Sequence, residues 1–439
     1  MLEAVLNAPV LVKVMGALGL ILLLSRLTRH LIVAIAAGAV VLAFWSGHSP
    51  QAALAITWER LSGASTLCLL VIIFQVIWLS SQMAATGVME DLVGTVRSKV
   101  SRRSSMAVLP AVIGLLPMPG GALFSAPLVD SCDAGGEVPA ELKAKTNHWF
   151  RHIWEYWWPL YPGVLLAMEQ SGLEVWQFML LQIPLTLAAV GSGYLFLLRR
   201  IHPGGEEPAP APEEVEHSFL GLVLPIVVVI VGYAAVRLGY AGVLAAWPGA
   251  PAMNKYVPMM VGLFAAMGFL QLRRPLARAE WREILFSRRA ILMAAIVAVV
   301  RVYGAFIEAR LPGGELLVSR MRGEMADWGI PLLVIMMAVP FVSGLATGLS
   351  IGFVGASFPI VINLIGPDPT LNVLLSTVVL AYGFGYIGML VSPVHVCLVV
   401  TSEHFSTELL HNMAGLLKPG VVVLAWVLVQ FAAVRLLFG

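Results

Sequence analysis

The sequence predicts an all-α polytopic membrane protein made of two inverted repeats, each with five transmembrane helices and one re-entrant hairpin. Three observations lead there. Of the 439 residues, 59% are hydrophobic and 12% charged, whereas a soluble domain is about 45–50% apolar and about 25% charged. Mean hydropathy is +0.88, and apolar runs close to the ~20 residues that cross a bilayer recur along the whole chain. The same order of features also occurs twice, on either side of a strip, 201–218, that holds four prolines and five glutamates.

This composition excludes a soluble enzyme, a disordered chain and a nucleic-acid binder. A net charge of +2 implies no bulk electrostatic partner. Cys68, Cys132 and Cys397 are far apart and form no CxxC, which argues against disulfide frameworks and zinc ribbons. No basic stretch precedes the first apolar run, so a cleaved signal peptide is not expected.

The first repeat, residues 1–200, has runs at 6–24, 31–45, 65–86, 148–168 and 176–198. Between the third and fourth lies 106–130, broken by Pro117-Met118-Pro119-Gly120-Gly121. Proline removes a donor and glycine loosens the chain, so a straight helix does not pass this point. Read as a hairpin, this segment leaves most loop Lys and Arg on one side of the membrane. Read as one crossing, it divides them evenly. The hairpin reading puts both termini outside and the 201–218 linker in the cytoplasm, in an inner (plasma) membrane.

The second repeat, residues 219–439, has runs at 219–238, 254–272, 290–308, 371–401 and 419–437. Its counterpart segment, 331–365, is too short for two crossings and too long for one, with a small, polar middle from Ser343 to Ser350. Trp58 and Trp281, Gln75 and Arg301, the two hairpin tips, and Pro159 and Pro393 follow one another in the same order. An odd number of spans per repeat forces opposite insertion. Inverted repeats with helices interrupted in matching places are the pattern of secondary transporters.

GLLPMPGGALFSAPLVD (114–130), NHWFRHIWEYWWPLYPG (147–163) and GMLVSPVHVCLVVTSEHF (388–405) resemble a permease family known as a domain of unknown function. It is grouped in the ion-transporter superfamily with divalent-anion/sodium symporters and gluconate-type permeases. The resemblance covers essentially the whole chain. It implies a scaffold domain, a moving hairpin domain, elevator-type alternating access and a homodimer. The sodium-coupled dicarboxylate carriers of that superfamily have Ser-Asn-Thr at both tips. Asparagine is absent from both tips here, so neither their substrates nor sodium coupling carries over.

Charges inside spans cost about 2.5–3.5 kcal/mol at a helix centre and mark functional candidates. Arg301, mid-span, is expected to bind an anion through its planar guanidinium. Gly120, Gly121 and Ser125 at the first tip, Ser343, Gly344 and Thr347 at the second, and Pro159, Ser392, Pro393 and His395 at two further breaks are expected to line the site. His152 and Glu155 are candidates for coupling. His148 and His152 are spaced to share a metal, but no third ligand is visible, so no metal or other cofactor is expected. The six arginines from Arg273 to Arg289 read as an in-plane helix against anionic lipid.

The predicted function is secondary active transport of a small anion, coupled to a proton or sodium gradient. The alternatives are a sodium/proton antiporter, a passive channel and a membrane-embedded enzyme, for which no HExxH, Walker or cofactor motif is present.

Overall fold

The computed structural model describes residues 8–115, 117, 121–133, 135–201 and 219–437, and not the side chains of residues 89, 90, 97–99 and 219–222. Twenty α-helices lie within them, ten on each side of the linker strip. The first ten are α1 (Val10–Thr28), α2 (Leu31–Trp45), α3 (Pro50–Ser62), α4 (Ala64–Ala85), α5 (Val88–Lys99), α6 (Arg102–Gly114), α7 (Ala122–Ser131), α8 (Ala140–Arg151), α9 (Pro162–Ser171) and α10 (Val175–Phe196). The second ten are α11 (Phe219–Ala246), α12 (Val257–Arg273), α13 (Arg278–Leu285), α14 (Arg288–Glu308), α15 (Leu317–Asp327), α16 (Leu332–Thr347), α17 (Ser350–Leu364), α18 (Leu371–Leu390), α19 (Val396–His404) and α20 (Leu409–Leu437).

Packing partners correspond when n and n + 10 are exchanged. α6 packs on α8 as α16 does on α18, α4 on α12 as α14 does on α2, and α9 on α17 as α19 does on α7. α4 meets α14, and α10 meets α20.

The chain is a multi-pass membrane protein, but the span count differs from the ten expected. Among the described residues, seven helical stretches are long and apolar enough to cross alone. The reasons are local. α2 and α12 are apolar but only 15 and 17 residues long. The run 148–168 is not one helix: α8 stops at Arg151, and residues 152–161 form turns before α9 begins at Pro162. This puts the break earlier than the Pro159-centred one expected from sequence. It also means that Arg151 and Glu155 are not neighbours on one continuous helix. The run 371–401 is likewise split, between α18 and α19, and the last helix begins at Leu409 rather than near 419.

α16 and α17 form the second helix pair at the expected place. They turn at Gly348, whose φ of 63° favours glycine, and Leu349. α15 and α16 bend by 114°. α6 and α7 form the first pair, but its tip residues 116 and 118–120, Gly120 included, lie outside the described residues, as does 202–218 of the linker. Lys143 ties α7 to α8 through Asp130 (2.7 Å) and Asp133 (3.2 Å). Burial alone would lower the pKa of that ammonium, but the two carboxylates outweigh it and hold it above the ordinary lysine value.

Candidate functional site

Irregular backbone inside an apolar protein must find partners for its freed carbonyls. In the 152–161 break they come from distant hydroxyls. Tyr386 donates to His152 O (2.5 Å), Tyr382 to Glu155 O (2.6 Å) and Thr186 to Ile153 O (2.6 Å). The break in turn caps the end of α6: Trp154 donates to Ala111 O (2.7 Å), Trp158 to Leu115 O (3.1 Å) and Tyr161 to Gly114 O. The 391–395 break does the same for α16. Ser392 Oγ donates to Leu345 O (2.7 Å), and His395 Nδ1 to Gly348 O (2.7 Å). Each helix pair is thereby clasped by one broken span.

Between the clasps is a cavity of about 90 Å3, lined in part by Arg151, His152, Glu155, Arg289, Ser350 and Cys397. Four helices turn their first residues toward it: α9 with Pro162, α14 with Arg289, α17 with Ser350 and α19 with Cys397. Helix N-termini carry partial positive charge and unpaired N–H groups, the physical basis of anion binding. Two guanidinium groups add to that charge, and Glu155 is the one carboxylate among the described lining residues. Arg151 Nη1 reaches Cys397 Sγ (3.4 Å) and His152 Nε2 (3.3 Å). Arg289 donates to Pro117 O beside the first tip. Glu155 lines the cavity together with Ser350 and lies 3.9 Å from His152 Nε2.

Of the residues singled out in the sequence, His152, Glu155 and His395 line this cavity. Gly121 adjoins it: a Cβ there would stand 2.1 Å from Arg151 Nη2, so a larger residue would displace the guanidinium. Ser125 and Ser343 are fully buried, each hydroxyl without a hydrogen-bond partner among the described residues. Thr347 Oγ1 donates to Ser343 O (2.7 Å) and, with Pro393, faces a separate groove beside Arg26 and Arg29. Pro159 borders an apolar cavity against Trp176 and Val229. Gly344 packs against Gly385 of α18.

Arg301 is not brought to the central cavity. Its Nη2 pairs with Glu169 (2.9 Å) and its Nε donates to Thr66 (3.2 Å), at the wall of a wide cleft of about 940 Å3. Glu169 also meets Lys255 (3.3 Å) and Tyr256. Arg301→Gln is expected to destabilise the protein by about 1.5–3 kcal/mol, the loss of a hydrogen bond between charged groups, because Glu169 keeps Lys255 and Tyr256. Glu169→Gln, which removes the counter-charge of both Arg301 and Lys255, should cost at least as much, and the double variant less than the sum of the two. Thermal unfolding of the two single variants and the double variant checks it, and strictly additive losses would contradict a direct Arg301–Glu169 interaction.

Sequence reasoning missed Arg151 and Arg289 as cavity residues and the carbonyl-capping Tyr382 and Tyr386. Arg289 lay hidden among the six arginines read as facing lipid. It is half-buried, placed in the first turn of α14 with its guanidinium on Pro117 O.

Many apolar helices around a buried, charged cavity between broken helices define a transporter-like, multi-pass membrane protein. Residues 11–434 match the family described as Protein of unknown function (DUF401), and the chain belongs to that family. A comparison with curated proteins finds no match.

Proposed function

We propose that the protein is a secondary active transporter of a small anion, and not an enzyme. The observation that carries this reading is the convergence of four helix N-termini and two arginines on one small cavity. With both guanidiniums charged and Glu155 ionised, the site is positive, and an anion neutralises it. The bound anion would lie against Arg289 and the first turns of α9 and α17. A coupling cation, proton or sodium, would be held by the charge of Glu155.

The exchangeable packing of the two sets of ten helices supports inverted repeats. The relationship to the ion-transporter superfamily is part of the same proposal. On this reading the helix pairs and broken spans form a moving unit, in an elevator mechanism within a homodimer. The location is the inner membrane, with both termini outside and the linker cytoplasmic. Loading pairs the charges that line the cavity, the anion with the guanidiniums and the cation with Glu155, and so favours the states in which the moving unit crosses.

The test is uptake of labelled small carboxylates and inorganic oxyanions into proteoliposomes under an imposed sodium or proton gradient. Saturable accumulation of one anion class under one gradient is expected. Failure of every anion under both gradients would overturn the proposal, and uptake that never exceeds equilibrium would turn it into a channel. Glu155→Gln is expected to bind the anion but to lose gradient-driven accumulation, because the cation loses its counter-charge. If that variant accumulates anion as the parent does, Glu155 is a structural residue.

A further inference from the structure

Three histidines meet at the edge of the cavity. His148 and His152 lie one turn apart at the end of α8, and His395 sits just before α19. Ring centroids are 4.7–5.1 Å apart, and one ligand nitrogen from each ring lies within 4.8 Å of the others. All three side chains are buried.

The hydrogen bonds decide which nitrogens are free. His148 Nε2 faces Leu390 O (3.0 Å), His152 Nδ1 faces His148 O (2.6 Å) and His395 Nδ1 faces Gly348 O (2.7 Å). A carbonyl only accepts, so each of these nitrogens carries a hydrogen, and the other nitrogen of each neutral ring presents a lone pair. His152 Nε2 and His395 Nε2 then stand 3.1 Å apart, two facing lone pairs of which only that of His152 meets another donor, Arg151 Nη1 at 3.3 Å. A shared proton would satisfy two nitrogens. The third, His148 Nδ1, has no hydrogen-bond partner among the described residues. Three imidazoles, each anchored to a backbone carbonyl through its far nitrogen, are what a metal ion requires of its ligands and their outer partners.

We propose that His148, His152 and His395 bind a divalent transition-metal ion of the zinc class. Tetrahedral bonds of ~2.0–2.1 Å set nitrogens roughly 3.3 Å apart, so the His152–His395 pair already fits and His148 needs only a short side-chain adjustment. Imidazole donors suit zinc, cobalt and nickel over magnesium or calcium. Arg151, at 3.3 Å from His152 Nε2, opposes the added charge. Glu155 offsets it, and Cys397, whose sulfur accepts from Arg151 (3.4 Å), lines the same cavity as His152 and His395. Three protein ligands leave a fourth position for an exchangeable ligand. The inference goes beyond the transporter reading, because the ion binds whether or not anything is carried.

The test is a titration of the purified, chelator-stripped full-length protein with Co2+, read by its visible absorption, with Zn2+ stoichiometry from equilibrium dialysis. One saturable ion per chain is expected, with the intense bands of a four- or five-coordinate site. His148→Ala and His395→Ala should each weaken binding by at least about a hundredfold, the upper range for loss of even an outer-shell partner. Substituting the exposed His411 should change nothing. The parent titration is decisive even if a variant misfolds: no saturable ion, or only the pale spectrum of the hydrated ion, overturns the site. So does an ion that survives both substitutions. Anion uptake without metal binding would remove this inference alone, and metal binding without uptake would remove the transporter reading alone.

Discussion

Arg289→Gln is expected to weaken anion binding about a hundredfold while the protein remains folded. A buried hydrogen bond to a charged group contributes about 1.5–3 kcal/mol, and each 1.4 kcal/mol is tenfold in affinity. Arg289 enters the cavity from the first turn of α14 and holds Pro117 O with one amino group. Glutamine keeps a donor for that carbonyl and removes the charge, so the variant tests charge and not packing. Arg289→Lys keeps the charge but loses the planar fork, and an intermediate affinity is expected if the anion is an oxyanion held by two bonds. The measurement is the anion concentration that half-saturates thermal stabilisation, since a ligand at 100 times its Kd stabilises by about 2.7 kcal/mol. Parent-like affinity in Arg289→Gln would leave Arg151 and the helix N-termini as the anion's partners. Parent-like affinity together with loss of binding in Arg301→Gln would move the site to the outer cleft.

The contrast between those two arginines shows what can be read from sequence. Arg301 stands out because it interrupts an apolar run, and the structure does bury it. Its partner Glu169 comes from α9, and no periodicity links the two. Arg289 is disguised by its neighbours, because a run of arginines is compatible with a solvated face wherever it occurs. Local chemistry was legible: the turn at Gly348, the first residue Pro162 of α9, and the Ser392–His395 break all follow from backbone preferences. Capping of freed carbonyls was not, because Tyr382 and Tyr386 lie more than two hundred residues from His152 and Glu155. The third histidine was hidden for the same reason, 243 residues from His152. Spacing reveals ligands on one helix and is blind to ligands brought by another.

Gly344→Ala is expected to cost at least about 3 kcal/mol, the upper end for overpacking a close-packed interface, and to abolish anion binding with it. The added methyl would lie 2.1 Å from Gly385 O and 2.7 Å from Met389 N. Both are backbone atoms of α18, so no side-chain rotation relieves the clash, and α16 and α18 must separate. The same interface has Gly388 against Phe341 O, where a Cβ would stand at 2.2 Å. Small residues that let helix backbones touch are a common means of association in membranes, where apolar surface alone gives little drive. Separation would also strain the bonds from Ser392 to Leu345 O and from His395 to Gly348 O. The cavity wall at Leu349 and Ser350 would shift with them. Gly323→Ala is the control: it lies on α15, where a Cβ meets nothing within 4 Å, so helix propensity predicts a gain of up to about 1 kcal/mol. Thermal unfolding of both variants, with and without the anion, decides. If Gly344→Ala melts like the parent, α16 and α18 are not held by backbone contact. If it is destabilised yet binds the anion normally, the second helix pair is not a wall of the site.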